Sequence, residues 1–214
     1  MRRILQFFVF YLPILTINTK METKPYTVFN AGTVSAGIMT VAALRVLMAP
    51  LPNIEPVMLF TLVTGLAAGP IAGFLMGAGS MIVSNVLMLP GGLSLPWLIH
   101  MPLVTLYTSA AYGLVGLLAG AAGLVKKKWG RAGYVALAAA LTLFYDLVTC
   151  VCFALQFYGP LGISAALVAQ IPFTVLHLSN AVFAFLFAPY LFKAAMKTKS
   201  FSLYASLRNM QLKA

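Results

Sequence analysis

Long apolar stretches, separated by short clusters of Lys and Arg, constrain the fold of this chain more than any other feature of its sequence. Hydrophobic residues make up 62% of the 214 residues and charged residues only 8%, against about 25% charged residues in a typical soluble domain. About 20 apolar residues cross the core of a bilayer. The candidate spans lie at about 28–49, 56–68, 70–89, 102–125, 132–157 and 172–194. The sequence therefore predicts an all-α integral membrane protein with six transmembrane helices in one compact bundle.

The positions of the cations predict the orientation of this bundle. Every Lys and Arg except Arg45 lies in the amino-terminal part, in the connection between the fourth and fifth spans, or in the carboxyl-terminal part. These three regions fall on one side of a six-span topology, and the positive-inside rule assigns that side to the cytoplasm. Both termini are expected there. The formal net charge of +11 is thus attributed to orientation in the lipid bilayer, and no nucleic acid is expected as a partner.

The chain is expected to contain one folded domain with two flanking segments. Residues 1–20 are left unassigned. They could result from the choice of start site, since Met21 opens a second plausible start, or they could form a helix that lies on the membrane surface. Residues 21–199 form the six-helix membrane domain, and residues 200–214 form a basic cytoplasmic tail. The second span is short for a full crossing and ends at Gly69-Pro70, so the second and third spans are expected to form a tight hairpin or to be partly buried.

Polar side chains within the spans concentrate in the predicted outer half. Asp146 lies about 22 Å beyond Arg131, counting about 1.5 Å per helical residue. Pro172 is expected to be the first helical residue of the sixth span. The polar residues of the outer half are Arg45, Asn85, Asp146, His177 and Asn180. Because a polar group in a span is costly and usually faces a cavity or a partner, this asymmetry predicts an outward-facing pocket for a polar small molecule.

Three outer connections are expected to cover this pocket: 50–55, 90–101 and 158–171. They contain no Lys or Arg and are rich in Pro and Gly. The predicted substrate-binding residues are Arg45, Asn53, Glu55, Asn85, Trp97, His100, Asp146, His177 and Asn180. Arg45 and Asp146 would supply charge complementarity, the amides and His177 would orient the ligand, and Trp97 would stack on it.

Each of these residues also has a simpler explanation. Arg45 could extend to the interface or pair with Glu55 or Asp146. His177 and Asn180, three apart on one helix face, could hydrogen-bond to neighbouring helices. Trp97 could be an interfacial anchor.

Catalytic chemistry has little support in the sequence. The chain has three carboxylates, which excludes most reactions that need clustered acidic groups. It lacks the H-E-x-x-H, P-loop and dinucleotide motifs and the nucleophile elbow. Cys150 and Cys152 lie two apart and point in different directions on a helix, so they are expected to form no disulfide. No catalytic residue, metal site or cofactor is predicted.

Small residues recur at helical spacing in several spans. Gly73 and Gly77 in the third span, and Gly116 and Gly120 in the fourth, are expected to let neighbouring backbones approach closely. The first span carries a smooth stripe, which could pack within its own bundle or dock a partner membrane protein. This stripe consists of Gly32, Ala36, Thr40 and Ala43.

Five segments of the chain carry the pattern of a known family. They are Ala42-Ala43-Leu44-Arg45, Pro52-Asn53-Ile54-Glu55-Pro56, the Gly-rich stretch from Gly69-Pro70 to Ser84-Asn85, Phe144-Tyr145-Asp146-Leu147-Val148-Thr149, and Ile171-Pro172-Phe173 followed by His177 and Asn180. Together they resemble the substrate-binding S components of energy-coupling factor (ECF) transporters over roughly residues 28–199.

This resemblance implies a multi-pass subunit in the plasma membrane of a prokaryote, with its amino terminus inside, that captures a water-soluble vitamin or related micronutrient from outside. It implies three protein partners, a transmembrane coupling protein and two cytoplasmic ATPases, with the stripe of the first span as the docking face. The subunit itself would have no ATPase. Members that carry cobalt or nickel are expected to bind the metal through a histidine near the initiating Met, which this chain lacks.

Two other classes of function stay open at this point. One is a small membrane enzyme or a scaffold. The other is a self-sufficient small-solute transporter, which should show internal repeats and a polar path at the membrane midplane; neither is visible in the sequence.

Overall fold

The computed structural model describes residues 31–50, 55–88, 95–125 and 129–197, and within these ranges all regular secondary structure is helical. Residues 1–20 and the tail at 200–214 lie outside the described residues. The helices are α1 (Ala31–Leu47), α2 (Pro56–Ala68), α3 (Pro70–Met88), α4 (Leu95–Val125), α5 (Arg131–Phe157), α6 (Ile163–His177) and α7 (Ser179–Lys197), with a 3-10 turn at Pro160–Gly162 before α6. The predicted all-α class is confirmed for this part of the chain.

Within the described ranges, four segments are long and apolar enough to cross a membrane. They are Pro70–Met88, Pro102–Val125, Arg131–Phe157 and Pro160–Ala195. Helices α1 and α2 are apolar but shorter, with 17 and 13 residues. At about 1.5 Å per residue, α2 is about 20 Å long, against about 30 Å for the hydrocarbon core of a bilayer. The structure thus indicates a membrane protein.

Helix α2 lies at the centre of the bundle. All of its residues except Pro56 and Phe60 are buried, and it contacts α1, α3, α4, α5 and α7. Pro56 at its first turn lacks the N–H that would go unpaired there. Gly69 ends the helix with a positive φ of 93°, a conformation that glycine adopts without steric cost, and α3 begins at the next residue. The second and third predicted spans therefore form a tight hairpin, and its first helix is buried.

Glycines bring α3 and α4 into backbone contact. A Cβ atom built on Gly73 would lie 2.3 Å from the carbonyl oxygen of Gly116, and one built on Gly116 would lie 2.0 Å from that of Gly73. A Cβ atom on Gly77 would lie 2.2 Å from the carbonyl oxygen of Tyr112. Small residues of this kind favour helix association in a bilayer. These glycines pack within the bundle, as predicted.

Two of the connections expected to cover the pocket are largely helical. Helix α4 begins at Leu95, so Pro102 lies inside it and not before it. The connection after α5 contains only residues 158–162, because a 3-10 turn lies at Pro160–Gly162 and α6 begins at Ile163. The predicted connection over 158–171 is therefore shorter than expected, because its residues from Ile163 onward belong to α6.

The sixth span also starts earlier than predicted, because Pro172 lies inside α6. The residues before it are mostly Ala, Leu, Val and Ile, which carry no helix breaker, and a proline inside an apolar helix is tolerated at the loss of one hydrogen bond. Leu178 separates α6 from α7 but keeps helical dihedrals, φ −61° and ψ −13°. Helices α6 and α7 thus form a nearly continuous segment antiparallel to α5, with Arg131 Nη2 donating to the Tyr190 hydroxyl at 3.2 Å.

Candidate functional site

Arg45, near the end of α1, forms the centre of a polar cluster between α1, α2 and α3. Its Nη1 donates to Ser84 Oγ at 2.9 Å and to Asn85 Oδ1 at 2.8 Å. Its Nη2 lies 3.3 Å from Glu55 Oε1, and each of these two side chains is 16% exposed. The guanidinium is therefore held by three oxygen acceptors of the protein. Pairing with Glu55, the simpler explanation for Arg45, is what the structure shows.

Glu55 immediately precedes α2 and joins this cluster to α4 and α7. Its Oε2 accepts a hydrogen bond from the Tyr112 hydroxyl, and its backbone N–H donates to Asn180 Oδ1 at 3.2 Å. Tyr112 is fully buried and Asn180 is 3% exposed. The carboxylate also lies at the amino-terminal end of α2, where the helix dipole favours negative charge. Because α2 is short, this end and its carboxylate lie inside the bundle.

Asn85 of α3 connects the cluster around Arg45 to α4. While its Oδ1 accepts from Arg45, its Nδ2 donates to Thr105 Oγ1 at 3.3 Å and to Thr108 Oγ1 at 3.5 Å. The Asn85 side chain is 8% exposed. Five helices, α1 to α4 and α7, thus meet in one hydrogen-bonded cluster around the Arg45–Glu55 pair.

A second pair of titratable side chains lies between α5 and α6. His177 Nδ1 is 2.6 Å from Asp146 Oδ1, with side-chain exposures of 11% and 4%. The other carboxylate oxygen, Oδ2, is buried and has no hydrogen-bond partner among the described residues. The Tyr145 ring lies between the two pairs, with its centroid 4.2 Å from that of Tyr112 and 6.1 Å from that of His177. The two pairs are therefore neighbours in one polar region.

A cavity of about 380 Å³ lies beside the second pair, between α4, α5 and α6. This volume falls within the range of about 300–1,000 Å³ typical of small-molecule sites. A smaller cavity of about 240 Å³ also reaches Asp146 and Gln170 and is otherwise lined mainly by apolar residues of α5 and α6. The wall of the larger cavity includes Tyr107, Thr108, Tyr145, Asp146, Gln170 and His177.

Six of the nine predicted substrate-binding residues belong to this polar region. They are Arg45, Glu55, Asn85, Asp146, His177 and Asn180. Only Asp146 and His177 line the larger cavity. Asn53 lies outside the described residues, as do the side chains of Trp97 and His100.

His177 ends α6 and Asn180 lies in the first turn of α7, on either side of Leu178, which keeps helical dihedrals. His177 contacts the Asp146 carboxylate, and Asn180 accepts from the backbone of Glu55. Both residues contact neighbouring helices, as their simpler explanation held.

Sequence reasoning missed the tyrosines of this region. Tyr107 and Tyr145 line the cavity, and Tyr112 donates to Glu55. Their presence in the outer parts of two apolar spans was the available signal, because a buried tyrosine hydroxyl usually has a hydrogen-bond partner.

The smooth stripe of α1 faces away from the bundle. Gly32, Ala36, Thr40 and Ala43 are all exposed, whereas Val34, Val41 and Ala42 are buried. The Thr40 hydroxyl donates to the Ala36 carbonyl at 2.8 Å, so it presents little polarity on this face.

Within the described ranges, no group of three or more His, Cys, Asp or Glu side chains is arranged to hold a metal ion. Cys150 and Cys152 of α5 are both free thiols. Comparison with protein families, with curated proteins and with solved structures finds no match to this chain.

Proposed function

We propose that this protein is the substrate-binding S component of an ECF-type importer, which captures a water-soluble vitamin or related micronutrient from outside the cell. It has no catalytic role and no ATPase of its own, and a transmembrane coupling protein and two cytoplasmic ATPases energise uptake. The observation that carries the proposal is the cavity of about 380 Å³ beside the buried Asp146–His177 pair.

The position of this cavity along α5 supports an outward-facing site. Arg131 begins α5 next to the cationic cluster at 126–128, and Asp146 lies about 22 Å further along the helix. The Arg45–Glu55 pair is connected to the same level through Tyr112 and Tyr145. The proposed topology has six crossings of the plasma membrane of a prokaryote, with Pro160–Ala195 as the last and with both termini in the cytoplasm.

The exposed stripe of α1 supports a membrane partner. Small residues at helical spacing allow two backbones to approach closely in a bilayer, where van der Waals contact drives helix association. In this proposal the coupling protein docks on Gly32, Ala36, Thr40 and Ala43.

Uptake by cells that express the protein with and without the coupling module tests the proposal. The labelled substrate is the small molecule that co-purifies with the protein. We expect uptake only when the coupling protein and both ATPases are present. Uptake that is independent of the ATPases would contradict the proposal and indicate a self-sufficient transporter.

A variant of the stripe tests the docking face separately. Ala36→Leu should abolish assembly with the coupling protein and leave ligand binding unchanged, because it adds bulk to the stripe only. Ala136→Leu is the matched control, since Ala136 is exposed on α5 and the same bulk is added outside the stripe. Equal assembly of both variants would remove the stripe from the docking face.

A further inference from the structure

One exposed face of α7 changes from apolar side chains to a cation along its length. Its members lie three or four residues apart, so they share one side of the helix. They are Val182, Phe185, Leu186, Tyr190 and Lys193, all of them exposed. The apolar residues come first, the tyrosine follows, and the lysine lies near the end of the helix.

Arg131, the first residue of α5, contacts this face of α7. Its Nη2 donates to the Tyr190 hydroxyl at 3.2 Å, and its Cζ lies 5.5 Å from the centroid of the Phe185 ring. Tyr190 and Phe185 precede Lys193 by three and eight residues, which is about 4.5 and 12 Å along the helix axis. The guanidinium therefore extends towards the apolar part of α7.

Neither Arg131 nor Lys193 pairs with a carboxylate in the described part of the chain. Its two carboxylates belong to Glu55 and Asp146, which pair with other residues. A cation beside apolar side chains in a bilayer is costly unless an anion accompanies it. The planar guanidinium, with its five N–H donors, matches the oxygens of a phosphate group. The charge of this surface is thus complementary to a phosphate.

Aromatic residues place this end of α5 and α7 at the level of lipid headgroups. The Trp129 and Tyr134 rings have centroids 6.4 Å apart, and those of Tyr134 and Phe192 are 6.3 Å apart. Trp and Tyr are enriched at membrane–water interfaces. A free phosphate ion would use only the two cations. A phospholipid would also use the exposed apolar side chains that lie next to them.

We propose that this surface binds an anionic phospholipid. The lipid phosphate accepts from Arg131, Lys193 contacts the negatively charged headgroup, and an acyl chain lies along Leu186 and Val182. The proposal goes beyond the importer, since it requires only that the bundle lies in a membrane. Each Lys or Arg near an anionic lipid surface contributes about a fivefold gain in affinity. The two cations together should therefore favour an anionic lipid by about 25-fold.

Native mass spectrometry of the delipidated full-length protein in detergent tests the proposal. The probes are dioleoyl phosphatidylglycerol, which is anionic, and dioleoyl phosphatidylcholine, which has the same chains and no net charge. We expect phosphatidylglycerol to bind about 25-fold more tightly. Adding sn-glycerol 1-phosphate, the headgroup phosphate without chains, should not displace it at equal concentration.

Four variants locate the preference. Arg131→Gln and Lys193→Gln should each weaken phosphatidylglycerol binding about fivefold and leave phosphatidylcholine binding unchanged. Arg131→Lys should retain more of the preference than Arg131→Gln, because it keeps the charge and loses only the planar fork. Arg208→Gln is the charge-matched control, since it removes one cation outside the described ranges, and it should bind both lipids like the wild type. Thermal unfolding in the same detergent shows that each variant is folded.

Equal binding of the two lipids by the wild type would overturn the proposal. An equal loss of phosphatidylglycerol binding in Arg208→Gln and Arg131→Gln would do the same, since it would show a general attraction between a basic protein and an acidic lipid. Displacement by sn-glycerol 1-phosphate would assign the cations to a free phosphate compound. A dimer that takes up no phosphatidylglycerol would assign the surface to a second copy of the chain.

Discussion

The Arg45–Glu55 pair should be energetically coupled, and a double-mutant cycle measures this. Arg45→Met replaces the guanidinium with an apolar side chain that still fills space, and Glu55→Gln removes the charge while keeping an acceptor for Tyr112. In the wild type the pair is 3.3 Å apart and each side chain is 16% exposed. Removing one partner leaves the other charge largely buried and unpaired.

The magnitude follows from the number of contacts that each substitution breaks. Removing one member of a buried ion pair costs about 3–5 kcal/mol, and the partial exposure places Arg45→Met at the lower end, about 3 kcal/mol. Glu55→Gln should cost less, about 2 kcal/mol, because the amide still accepts from Tyr112. The double variant should be less destabilised than the sum by about 2 kcal/mol, which exceeds the average of about 0.6 kcal/mol for polar contacts between helices in a bilayer.

The free energy of unfolding can be measured by SDS titration in mixed micelles. Cys150, which is 6% exposed, reports unfolding through thiol modification in a Cys152→Ser background. Additivity of the two substitutions within about 0.5 kcal/mol would refute the reasoning, since it would mean that the two charges do not stabilise one another.

Two further predictions concern helix packing and the link between α2 and α4. Gly116→Val should destabilise the bundle by about 3 kcal/mol, because its Cβ would lie 2.0 Å from the Gly73 carbonyl oxygen; Gly130→Ala, with nothing within 4 Å of its Cβ, should have little effect in the same titration. Tyr112→Phe removes the hydroxyl that donates to Glu55 and should cost about 1.5 kcal/mol; a loss below that of Gly130→Ala would contradict the assigned hydrogen bond.

The helices were largely predictable because the length of each apolar stretch, and the Gly and Pro residues at its ends, decide where a helix begins and ends. Gly69-Pro70 marks the α2–α3 turn through a positive φ at Gly69 and a proline at the start of α3, and both follow from backbone chemistry. Pro172 misled the prediction of the sixth span. Proline favours the first turn of a helix, but within an apolar bundle it is also tolerated in the interior, and local sequence does not distinguish the two cases.

The candidate site was predictable in its members but not in its pairing. The scarcity of polar groups in apolar spans singled out Arg45, Glu55, Asp146 and His177, because each is costly in a bilayer. Which of them pair depends on how deeply α2 enters the bundle and on how α6 lies along α5. These are properties of tertiary packing, and the helical period carries no information about them.

Mass spectrometry of the small molecules released from the purified protein tests the central claim most directly. The wild type should release one species in near-stoichiometric amount, and the Asp146→Asn variant should release little of it, since the variant loses the carboxylate beside the cavity. An empty wild-type protein, or an equal amount of the same species from both proteins, would contradict the assignment of this cavity as the binding site of a captured solute.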